Sequence, residues 1–175
     1  MTSSLYDATI PQFQQMLPGV IANLGRAETW AREKGQTAKE MLGSRLAPDM
    51  LPLAAQFHFV AVHSGGAINA LKEGVFHIPT EPAPMEFADL HKMLTDAQAV
   101  VDQATPEVLE AAQSRTIALD FSGRTVKRFT GAEYLLSFAQ PNFFFHSVTA
   151  YSILRTLGVS IGKSDYLGAM RSLPD

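Results

Sequence analysis

Apolar residues recur along four stretches of the chain with the spacing of a helix face. In the first, Ile10, Phe13, Leu17, Val20, Leu24, Ala27 and Ala31 follow one another at intervals of three and four. Thr9 can cap this helix, Pro11 suits an early helical position, and Gly35 ends it. Pro18 lacks a backbone N–H and crowds the carbonyl four residues back, which predicts a kink near Pro18-Gly19. Thr37 to Leu42 reads as a short extra helix. The second long helix is expected from Asp49, a good N-cap, to Gly74. Its inner stripe is Leu53, Phe57, Val60, Ser64, Ala67 or Ile68, and Leu71. The third runs from Met85 to Asp102, with Phe87, Leu90, Leu94, Ala97, Val101 and Ala104 on one side. The fourth opens on Thr130-Gly-Ala-Glu133, a capping-box pattern that satisfies two free N–H groups reciprocally. It runs to Leu157, with Gly158 just past its end and Val159 as the hydrophobic contact that follows.

The connections refine this picture. Residues 74–85, GVFHIPTEPAPM, hold three prolines and read as extended chain. Twelve extended residues reach about 40 Å, and a helix of about 22 residues is about 33 Å long. This linker can therefore cross the whole bundle, so the second and third helices can run parallel. Before the fourth helix, RTIALDF and RTVKRF flank Ser122-Gly123, a two-residue hairpin turn. A lone hairpin is marginal in water, so it should lie against the helices. Phe143, Phe144 and Phe145 point in three directions about 100° apart, which buries the fourth helix on nearly all sides. A partner subunit is the simplest cover for the outer side, with the hairpin as the alternative. The C-terminal SDYLGAM segment, with Tyr166, Leu167 and Met170, can pack on the same surface.

Composition narrows the chemistry. The 175 residues carry 14 Lys+Arg against 17 Asp+Glu, and 46% are apolar. That length suits one domain spanning residues 1–175 with a continuous core. The absence of cysteine removes disulfides, thiolate nucleophiles, iron–sulfur clusters and Cys-type zinc sites. A net charge of −3 argues against a broad nucleic-acid surface. MTSSLYDATIPQF has no basic segment followed by an apolar run, and no stretch is long enough to span a membrane. A cytoplasmic protein is expected.

Motif-like runs do not survive inspection. Gly158-Val-Ser-Ile-Gly162-Lys163-Ser164 is one residue short of a P-loop and follows a helix rather than a strand. His63-Ser-Gly-Gly66 lies inside a helical pattern, and no GxSxG elbow occurs. Arg124, Lys127 and Arg128 at the hairpin read as a solvated strand face.

Five histidines remain: His58, His63, His77, His91 and His146. His77 lies in the Pro-rich linker and His91 at a helix border. His58 lies about 200° around the helix from Gln56, so those two do not serve one site. Gln56 and His63 share a face but sit about 10 Å apart along the axis, so at most one of them joins a site. Asn142 and His146, four apart, stack on one face of the fourth helix within an apolar stripe of Leu135, Phe138, Thr149 and Ile153. Burying an amide and an imidazole costs a few kcal/mol unless both find partners. Pro141, just upstream, frees the carbonyl of Ser137 and can bend the helix.

LYDATIPQF at the start, RLAPDMLPLAAQ at 45–56, FTGAEYLLSFAQPNFFFH at 129–146 and AYSILRTLGVSIGKSDYLG at 150–168 cover essentially the whole chain. Together they resemble an uncharacterised domain-of-unknown-function family among the DinB/YfiT-like putative metalloenzymes. The resemblance implies an all-α fold, a four-helix bundle of up-down-down-up topology, and a homodimer. The long crossover would join helices two and three, and the small hairpin would precede helix four. It also implies a divalent metal held by one histidine of the second helix and two of the fourth. Set against this sequence, those positions fall near Gln56 and at Asn142 and His146, with His58 or His63 as less well-placed substitutes for Gln56. One of three histidines is kept, and Asn and Gln oxygens are weak ligands for metals that favour imidazole.

Three readings follow. In the first, a homodimeric bundle binds a small molecule between its second and fourth helices, where Gln56, Asn142 and His146 form a hydrogen-bonding cluster without a full three-His metal site. In the second, a metal-dependent hydrolase or transferase uses His146 as base or remaining ligand, with Gln56 or His63 completing the site. In the third, the polar cluster only fixes helix register in a structural dimer.

Overall fold

The computed structural model describes residues 4–172, so the outermost residues of the 1–175 domain lie outside the described ones. Helix α1 spans Leu5–Glu33 and begins a turn earlier than its apolar stripe suggests. Ser4 is its cap: the Ser4 hydroxyl accepts from the Asp7 N–H, and the Asp7 carboxylate accepts from the Ser4 N–H. Thr9 is therefore not the cap, and its hydroxyl donates to the Leu5 carbonyl instead. Pro11 and Pro18 both lie within this helix. A short α2, Ala38–Leu42, is capped in the same reciprocal way by Thr37 and Glu40.

The second long helix is divided. Helix α3 covers Leu53–Val62, with Pro52 rather than Asp49 at its cap, and α4 covers Gly65–Glu73. Between them Ser64 leaves helical geometry, with φ −112° and ψ −90°, and its hydroxyl donates to the Val60 carbonyl at 2.7 Å. Helix α5, Phe87–Asp102, packs closely against the start of α4, just after the break. A Cβ on Gly65 would lie 2.5 Å from the Ala97 Cα, so α4 meets α5 backbone to backbone at the one residue that allows it.

The linker holds a strand as well as extended chain. Strand β1, Val75–His77, pairs parallel with β2, Thr116–Phe121, which pairs antiparallel with β3, Arg124–Thr130. Ser122 and Gly123 join β2 to β3 with φ of 52° and 81°. Two left-handed residues match the twist of the flanking strands. A helix α6, Pro106–Ala112, comes between α5 and β2.

After β3 the chain continues through α7, Gly131–Glu133, a π-helical turn at Tyr134–Ala139, and α8, Gln140–Leu157. Gly158 closes α8 in the left-handed region, and the Val159 N–H reaches back to the Leu154 carbonyl. The last helix, α9 at Lys163–Leu167, lies on α1. There the Asn23 and Gln15 amides donate to the carbonyls of Asp165 and Leu167, and Arg26 pairs with the Asp165 carboxylate.

The fold is mostly helical, with one small three-stranded sheet. Helix α5 packs on α1, α3 and α4, and α8 packs on α3. Phe13, Leu17, Leu24, Phe57, Leu94 and Phe143 are buried between them. Of the three consecutive phenylalanines, Phe143 meets Phe13 edge-on and Phe144 is partly buried, but Phe145 stays 53% exposed. Neither the strands nor the C-terminal segment covers it.

Candidate functional site

The site forms where α3 packs against α8. Pro141, in the first turn of α8, has no N–H to offer the turn before it, and that turn is π-helical. The Gln140 N–H reaches five residues back to the Leu135 carbonyl. The Asn142 side chain fills in beside it, its amide donating to the Phe138 carbonyl at 2.7 Å. Asn142 thus shares a face with His146, but its nitrogen serves the backbone of its own helix.

His146 pairs with α3 instead. Its Nδ1 lies 2.8 Å from Oε1 of Gln56, and both residues are buried. The Gln56 amide nitrogen donates to the Leu51 carbonyl at 2.9 Å, which leaves the oxygen to face the ring. Nδ1 of His146 is therefore the protonated nitrogen, and Nε2 carries the lone pair. Sequence spacing allowed one of Gln56 and His63 to join such a site, but both flank His146. The His63 ring lies 5.7 Å from that of His146, centroid to centroid, with only 3° between the planes. His63 caps α3 with its N–H still on the Phe59 carbonyl, so the axial gap to Gln56 stands; two long side chains reach His146 across it, one by a hydrogen bond and one by ring stacking.

Aromatic rings enclose the pair. Phe59 lies 4.9 Å from His146 and 5.9 Å from His63, nearly parallel to both. Phe76 of β1 and Phe138 of the π turn close on His63 from 5.5 and 5.4 Å. Of these walls the sequence marks only Phe138, on the stripe of Asn142 and His146; Phe59 falls off the inner stripe and β1 is three residues long.

The electrostatics follow from this enclosure. Burial first, and then a nearby His58, lower the His146 pKa to about 4. Burial holds His63 at about 3, helped by His146 and then His58. His58, half-buried and without a partner for either ring nitrogen, is also shifted down by burial. Three imidazoles are thus neutral at pH 7, and Nδ1 of His63 is buried without a partner. The remaining two histidines stand apart: His77 lies 3.3 Å from Asp120, and His91 lies 3.8 Å from Glu28.

The three positions that the resemblance assigns to a metal do not suit one. The Gln56 oxygen is taken by the His146 N–H, and the Asn142 amide is turned to a carbonyl. Among the described residues no group of three or more His, Asp or Glu is placed to hold a metal ion. Clefts also lie elsewhere. One of about 430 Å³ runs along α1 at Arg26, Trp30 and Glu33, and another of about 290 Å³ lies between α4 and α5.

Comparison with known proteins fixes the family. Residues 5–167 match the domain of unknown function DUF1993. The chain belongs to the DUF1993 family. Its fold is also that of a solved DinB family member protein from Shewanella denitrificans, with a TM-score of 0.80 and 30% identity over 98% of this chain and 96% of that one. This DUF1993 chain is accordingly DinB-like, while no curated protein matches it. No helix among the described residues is long and apolar enough to cross a membrane.

Proposed function

We propose that this protein binds a small, neutral, mainly apolar molecule between α3 and α8, without a three-His metal site. The observation that carries this reading is the buried 2.8 Å hydrogen bond between Gln56 and His146. It takes up the Gln56 oxygen and fixes an uncharged imidazole with Nε2 as an acceptor. Such an acceptor, beside Phe59 and the His63 ring that Phe76 and Phe138 flank, suits a ligand with one hydroxyl or N–H and an aromatic or aliphatic body. Within this reading the long helices form a four-helix bundle of up-down-down-up topology in one domain. The protein is a cytoplasmic homodimer without nucleic-acid partners, and Asn142 shapes the helix above the site rather than touching the ligand.

The test combines elemental analysis with thermal shift. Purified protein is expected to hold no stoichiometric Zn, Ni or Mn, and its melting temperature stays the same when these ions are added. Neutral phenols and aryl alcohols are screened by ligand-detected NMR, and hits should be lost in His146→Ala while His91→Ala keeps them. Stoichiometric metal that disappears in His146→Ala would overturn the metal-free reading and favour a metal-dependent hydrolase or transferase. A panel with no hit in wild type, together with a large loss of stability in His146→Ala, would leave only a structural role.

A further inference from the structure

The sheet carries an edge that the rest of the molecule leaves open. Strand order is β1-β2-β3, so among the described residues β3 has β2 on one side and no strand on the other. No backbone group of Arg124–Phe129 is bonded to any described element except β2. Residues Arg124 to Arg128 are all exposed, Val126 by 54%. The opposite edge is different: β1 has three residues, includes the buried Phe76, and runs straight into Pro79.

Charge on this edge is one-sided. Arg124, Lys127 and Arg128 have no ion-pair partner among the described residues. The chain as a whole has a net charge of −3. Some of the other cations are engaged, Arg26 with Asp165, Lys92 with Asp96, Arg115 and Arg155 with backbone carbonyls. Arg32, Lys34, Lys39, Lys72 and Lys163 are scattered, without an ion pair among the described residues. The three on β3 stand free, with Lys127 Nζ 5.9 Å from the Phe129 ring. Across the strand, Arg128 is opposite Ala118 and Lys127 opposite Leu119, so the cations project on both faces of the ribbon.

Charged edges normally keep sheets apart. Here the sign of the charge makes the edge selective. A second copy of β3 laid against the first would set cation against cation, whereas an acidic strand would meet opposite charges on both faces. We infer that the free edge of β3 is a docking surface for an extended acidic peptide, which adds as a fourth strand beside Arg124–Phe129. Backbone hydrogen bonds would supply the ladder, and Arg124, Lys127 and Arg128 would select the charge. This surface is independent of the Gln56–His146 site, so either assignment can fail without the other.

The probe is a fluorescein-labelled peptide of about eight residues in which pairs of Glu alternate with pairs of Val, so that acid groups reach both faces, and long enough to span the edge. Fluorescence anisotropy should show saturable binding that weakens as salt rises. The triple variant R124E/K127E/R128E should lose binding while keeping the wild-type melting temperature, because all three side chains are exposed. Methylating alternate peptide nitrogens, on the side that would face β3, should weaken binding about tenfold by removing ladder donors. Hydrogen exchange should show new protection at outward amides of β3. The inference is overturned by any of three results: no binding of the Glu-Val peptide, equal binding of a Lys-Val peptide, or binding indifferent to N-methylation. The last result would mean charge attraction without strand addition.

Discussion

Gln56 gives its nitrogen to the Leu51 carbonyl and its oxygen to His146, so a change at this one side chain resets the imidazole. In Gln56→Glu a carboxylate replaces the amide oxygen beside Nδ1. The opposite charge favours the imidazolium, so His146 should titrate at least about one unit above its present value. The imidazole Cε1–H resonance followed against pH measures this, and an unmoved titration would mean that Gln56 does not face the ring. Gln56→Leu leaves the Nδ1 proton buried without an acceptor and should lose about 1–3 kcal/mol of stability.

The same enclosure makes the fold acid-sensitive. His63 and His146 have folded-state pKa values of about 3 and about 4, below an ordinary histidine near 6.5. Below pH 6.5 the unfolded chain takes up protons that the folded chain refuses. Stability is therefore flat above about pH 7 and falls as pH drops from 6.5 toward 4, by up to about 1.4 kcal/mol per histidine per unit. Urea midpoints between pH 7.5 and 4.5 should show this decline, and His63→Phe should flatten part of it. Equal midpoints at pH 7 and 5 would contradict the burial of the cluster.

At the level of elements, one backbone contact joins α4 to α5 just after the break that follows α3. Gly65→Ala would press a methyl to within 2.5 Å of the Ala97 Cα, where backbone meets backbone and nothing flexible can yield. A loss of about 1–3 kcal/mol, or more, is expected. Gly66→Ala is the control: its nearest neighbour, the Ala61 carbonyl, is at 3.7 Å, so added helix propensity should stabilise by about 0.5–1 kcal/mol. Thermal melts of the two variants should shift in opposite directions, and a matched shift would refute the close approach.

These elements also show where the sequence stopped being readable. Period and caps locate α5 to within two residues and place the end of α8 at Gly158. The break at Ser64 is hidden because Leu53, Phe57, Val60, Ile68 and Leu71 keep helical spacing across it, and the close contact beside it joins Gly65 to a residue 32 positions further on, Ala97. The π turn leaves no periodic trace, since one extra residue merely shifts the stripe by a third of a turn. Strand β1 is too short to alternate, and its partner lies beyond two helices. Within the site, His146 was legible from its setting and Gln56 from the resemblance. The joint presence of Gln56 and His63 was not, because the axial rise between backbones leaves out how far two side chains reach toward a ring on a neighbouring helix.

At the scale of the whole molecule, α8 presents one unburied apolar side. Phe145 and Val148, three apart on that helix, are exposed, as are Leu136 in the π turn and Leu51 at the carbonyl that holds Gln56. Phe145 meets His146 edge-on at 5.2 Å, so this side forms the outer wall of the candidate site. A homodimer through it would bury Phe145 and further shield the imidazole from water. Light scattering should then give wild type twice the 19.0 kDa of one chain, and Phe145→Ser the mass of one. Far-UV circular dichroism should stay the same, since Phe145 contributes little to the core. The dimer should also hold His146 at a lower pKa than the Phe145→Ser monomer does, because desolvation is the first cause of the shift. Wild type running at a single chain's mass would remove the homodimer. A dimer that survives Phe145→Ser, with His146 titrating as before, would place the interface elsewhere and leave this side of α8 to solvent.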